Sequence, residues 1–171
     1  MSDYFKLADD QTNFLWDYGW FKSSRFTIDA KQSPPLEDAH STIDNFVNSK
    51  IFPRSYCSKP NLWGADIQLH GPYVLAELES TMIEEVNAEE FRNILISAFV
   101  QERFNEPPTA DQQAPVLEWL DEICQAGTSF FSMPKDAKKV EWADTVWWVY
   151  EEVLAVNLEH GRLDVGVLGY D

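Results

Sequence analysis

The order of apolar and polar positions predicts short strands alternating with amphipathic helices. Residues 9–21, DDQTNFLWDYGWF, place aromatics behind the candidate N-caps Asp9, Asp10 and Thr12 and read as a short helix ending near Gly19. In 24–30, Phe26 and Ile28 alternate with polar neighbours, a strand pattern. Ser33 as a cap, Pro34 or Pro35 at the first helical position, and Glu37 and Asp38 in the first turn open an amphipathic helix over 35–50. Residues 51–64, with two prolines and a glycine, read as a loop packed on the body.

Residues 64–79 resemble a hairpin turning at His70-Gly71-Pro72, and a helix over 73–86 is the competing pattern. Asn87 caps a helix through Phe104 that is apolar around most of its circumference and therefore buried. The next helix has two candidate starts. A Thr109-x-x-Gln112 box would put Pro115 at the sixth helical position, where a proline loses a backbone bond. Pro115 at the first position is therefore preferred, with Gly127 as the stop. Residues 128–133 form a strand, and a long helix runs from Asp136 or Val140 to His160 and stops at Gly161. Residues 162–170 alternate Leu163, Val165 and Val167 as a final strand. The sum is α+β: one compact domain of about five helices packed with a small, mostly antiparallel sheet.

The long helix carries the main functional expectation. At about 100° per residue, Trp142, Val146, Val149, Val153 and Val156 share one side. The acids Glu141, Asp144, Glu151, Glu152 and Glu159 fall on the other, with Trp148 among them. Tryptophan is enriched where one protein anchors in another. Trp148 is thus the candidate anchor, with Glu141, Asp144, Glu151 and Glu152 around it. Glu118, Asp121 and Glu122 would extend the acidic face from the preceding helix.

Charge sharpens this picture. The 171 residues carry 29 acids and 13 bases, a net charge of −16. Residues 1–60 hold eight acids against seven bases, whereas 61–171 hold 21 against six. The chain is therefore near neutral in its first third and strongly acidic afterwards. Such a balance argues against direct nucleic-acid binding and against docking on anionic membranes. It favours a basic protein partner. The opening MSDYFKLADDQTN lacks the basic and apolar regions of a secretory signal, so the cytoplasm is the expected compartment.

Chemistry-bearing motifs are sparse. Phosphate-binding glycine loops and a nucleophile elbow are missing from the sequence. Glu37-x-x-His40 has di-iron spacing but occurs once, and the three histidines lie far apart, so no metal, cofactor or catalytic residue is assigned. Cys124 reads as a small buried hydrophobe, and Cys57 as a loop thiol between Arg54 and Lys59. The expected function is a cytosolic protein-binding inhibitor of the immunity-protein or antitoxin type, neutralising a basic partner such as a nuclease toxin. The alternatives are a DNA-mimic inhibitor of a DNA-binding enzyme, a chaperone or structural subunit, or an enzyme using Cys57 with His70 or a carboxylate pair. Seven of the first 21 residues are aromatic, and any exposed share of them would mark a second contact, such as a homodimer.

Overall fold

A computed structural model describes residues 4–16, 19–29, 35–52, 69–100, 107–140 and 147–170. In chain order the elements are β1 (Phe5–Trp16), β2 (Gly19–Ile28), α1 (Ala39–Val47), β3 (Leu69–His70), β4 (Tyr73–Val74), two single 3₁₀ turns, β5 (Glu84–Val86), α2 (Ala88–Ala98), α3 (Ala110–Ile123), β6 (Ser129–Ser132), β7 (Val149–Asn157) and β8 (Arg162–Tyr170). Six strands form one antiparallel sheet in the order β1-β2-β8-β7-β6-β5, and β3 and β4 form a separate small hairpin. Among the described residues there are three α-helices, and strands dominate. The expectation of about five helices beside a small sheet is corrected accordingly.

The centre of the sheet is buried on both faces. Val149, Val153 and Ala155 of β7 join Phe91 and Leu95 of α2 and Val116, Trp119, Leu120 and Ile123 of α3 in one core. Tyr150, Leu154 and Val156 face the other way, into a core with Ile43 and Phe46 of α1, Phe52 and Tyr73. This two-sided burial explains the largest error of the sequence reading, the helix to His160. A strand covered on both faces has no polar alternation, so its apolar run looks as continuous as a buried helix. The spacing of Val149, Val153 and Val156 matched a helix by coincidence, while their β-branching suits a pleated surface.

The expected helix over 9–21 is likewise replaced by β1 and the start of β2, with Trp16 opposite Gly19. The helix expected at 35–50 begins later: Asp38 caps α1, accepting from the Ser41 N–H at 2.7 Å. Asn87 caps α2 as its sequence implies, accepting from Glu89 and Glu90, but α2 ends at Ala98. α3 begins at the rejected start. Thr109 and Gln112 form a capping box, and Pro115 sits inside the helix. The cap and the buried face of Val116, Trp119, Leu120 and Ile123 together offset the bond Pro115 cannot donate to Asp111. Its C-cap is Cys124, and Gly127, with φ +79°, turns the chain towards β6. No helix among the described residues is long and apolar enough to cross a membrane.

Candidate acidic cleft

The β1 edge of the sheet and α3 flank a polar cleft of about 270 Å³. Asp9, Gln11 and Asn13 reach into it from alternate positions of β1. Ser23 and Arg25 come from β2, Asp164 from β8, and Pro115, Glu118, Trp119 and Glu122 from α3. Trp119 forms the floor. Its ring lies on Gly166 of β8, where an added Cβ would stand 2.6 Å from the indole. Phe21 meets it edge-on at 5.4 Å and Phe91 stacks at 6.1 Å, so the floor is held from three sides.

One wall neutralises itself. Arg25 Nε donates to Asp164 at 2.7 Å and its Nη2 donates to Glu122 at 2.5 Å. Arg162 Nε lies 2.7 Å from the second oxygen of Asp164. Burial pushes the Asp164 carboxyl up, against the pull of Arg25 and Arg162. Burial also disfavours charge on Arg25, but the bonds to Asp164 and Glu122 outweigh it and hold the guanidinium above its ordinary value. Two arginines thus balance two carboxylates.

Asp9 and Glu118 are what remains. Asp9 accepts an amide bond from Gln11 at 2.8 Å. Among the described residues, neither Asp9 nor Glu118 meets a cation within ion-pair distance. The cleft therefore offers two uncompensated carboxylates, amide and hydroxyl groups, and an aromatic floor. That set suits an ammonium or guanidinium group.

The other expected contact residues that are described lie apart from the cleft and from one another. Glu141 and Asp144 lie outside the described residues. Trp148 precedes β7, is 51% exposed, and packs on Tyr170 at 5.7 Å. Glu151 is half-buried in β7, and burial pushes its carboxyl up while Lys139 and Lys135 pull it down. Glu152 is fully inside, 2% exposed. It faces His70 Nε2 at 2.8 Å and accepts from the Tyr150 hydroxyl at 2.7 Å. Asp121 bridges to Arg92 at 2.9 Å on the outer side of α3. The acidic ring around Trp148 came from winding a strand as a helix. Of the six that are described, only Glu118 and Glu122 share this cleft.

His70 is no open catalytic group. Its ring is 1% exposed and stacks on Phe52 at 3.8 Å. Its Nδ1 donates to the Phe52 carbonyl at 2.5 Å. Cys57, its suggested partner, lies outside the described residues. Among the described residues no group of three or more His, Cys, Asp or Glu is arranged to hold a metal. Sequence reasoning missed Asp9, Arg25 and Asp164. The alternation of Asp9, Gln11 and Asn13 was the available signal, had 9–13 been read as a strand. Of the N-terminal aromatics, Trp20 and Phe21 are buried on opposite faces, while Phe14 is 85% exposed. Comparison of the chain with known protein families and with curated proteins finds no match.

Proposed function

We propose that the chain is a cytoplasmic protein-binding inhibitor, of the immunity-protein or antitoxin type, that neutralises a basic partner through the α3–β1 cleft. The observation that carries this reading is the pair Asp9 and Glu118 beside Trp119, neither of which meets a cation among the described residues. A lysine or arginine of the partner would pair with these carboxylates. The net charge of −16 would speed the encounter by long-range attraction. Trp148, half exposed at the end of the sheet, is kept as a proposed second anchor.

The test is capture of partners from the native host's lysate by wild type and by the Asp9→Asn/Glu118→Gln variant, washed at about 50 mM and about 500 mM salt. The reading expects a basic protein on the wild type at low salt that is weakened at high salt and by the variant. Equal retention by both proteins would remove the cleft from the interface. A DNA-binding enzyme whose DNA competes with this chain would instead support the DNA-mimic alternative.

A further inference from the structure

The cleft has an unusual rim. β1 is an edge strand of 12 residues, and among the described residues it pairs with β2 alone. Lys6 through Thr12 are all exposed. Successive strand residues point to opposite faces, so seven exposed in a row mean that both faces here are open. An edge strand presents a row of backbone N–H and C=O groups to any strand that can approach it. β1 breaks register between Leu7 and Asp9 and again between Phe14 and Trp16. The stretch Asp9–Phe14 between these shifts is regular, six residues long, about the usual length of a strand.

The side-chain chemistry selects the occupant. A strand laid along 9–14 would place every second side chain beside Asp9, Gln11 and Asn13, and so over the cleft that also holds Glu118. A second copy of this chain, paired antiparallel along 9–14, would set Phe14, Thr12 and Asp10 opposite Asp9, Gln11 and Asn13, and so bring a further acid and no cation over the cleft. An added strand with basic residues at alternate positions meets no such penalty.

We infer that the partner adds an extended segment to β1 as a seventh strand, with lysine or arginine at every second position directed into the cleft. This inference rests on the proposed function and specifies the conformation of the partner's contacting segment. Backbone pairing holds the segment, and Asp9 and Glu118 select its sequence.

The test uses the full chain and two synthetic peptides of about eight residues, one alternating lysine with threonine and one alternating glutamate with threonine. Chemical shifts and backbone amide exchange are followed by NMR at about 50 mM salt. The lysine peptide is expected to shift Glu118 and Trp119, and to slow exchange of the outward amides of 9–14 at least about tenfold. The glutamate peptide is expected to do neither. Shifts at Glu118 and Trp119 without protection of 9–14 would overturn strand addition and leave the cleft reading standing. No response to the lysine peptide at the cleft or the strand would overturn both. Protection by both peptides, or by raising the protein concentration alone, would overturn the basic class of the partner.

Discussion

Substituting Glu152 with leucine separates the fold described here from a helical acidic face. On such a face Glu152 would be a solvated residue, and its loss would change stability by no more than about 0.5 kcal/mol. In the sheet its carboxyl lies 2.8 and 3.0 Å from His70 Nε2 and 2.7 Å from the Tyr150 hydroxyl, all buried. The pair with His70 ties β3 to β7. Removing the carboxylate deletes the buried hydrogen bonds that join it to the His70 ring and the Tyr150 hydroxyl, at a cost of about 1–3 kcal/mol each. For a chain of this size each kcal/mol shifts the Tm by roughly 2–4 °C, so the melting point should fall on the order of 10 °C. Urea unfolding followed by circular dichroism measures this as a lower midpoint at an unchanged slope. Adding Tyr150→Phe should recover part of the loss, since the hydroxyl that donated to Glu152 goes with it. A midpoint equal to wild type, or no recovery by Tyr150→Phe, would refute this assignment of Glu152.

Three further outcomes follow from single contacts. Tyr73 is pushed up by burial, then by the Glu152 and Glu151 carboxylates. The folded state therefore holds its proton more tightly than the unfolded chain, whose value is 10.0. Its stabilising contribution is fully present below pH 10 and is lost as pH rises further, so Tyr73→Phe should flatten the alkaline fall in stability relative to wild type. Gly166→Ala places a Cβ 2.6 Å from the Trp119 ring, should cost about 1–3 kcal/mol, and should alter the near-UV circular dichroism of the indole. Thr109→Ala removes the α3 cap, and chemical denaturation should show a loss of about 1 kcal/mol.

The sequence exposed some parts of this architecture and hid others for definite reasons. Local chemistry was legible: the Asn87 cap, the turn at Gly71-Pro72 and the alternation of β8 depend on neighbouring residues alone. β7 was not, because burial on both faces erased the period that distinguishes strand from helix. β1 was not, because exposure on both faces left Lys6–Thr12 without apolar alternation. The start of α3 was misread because the capping box and the core face outweigh a proline's lost bond, a balance no single position reveals. The cleft combines β1, β2, β8 and α3, so its members lie up to 155 positions apart, from Asp9 to Asp164. Glu118 and Glu122 could be chosen from helical spacing, but their cleft depended on the pairing of strands.

The most direct test of the cleft is the dissociation constant of the captured partner against wild type, Asp9→Asn/Glu118→Gln and Trp148→Ala, over a range of salt. The account expects the cleft variant to bind at least about tenfold more weakly, and to show a shallower salt dependence. Trp148→Ala reports separately on the end of the sheet, where an anchor would cost about 2 kcal/mol. Wild-type affinity and an unchanged salt slope for the cleft variant would contradict the central claim.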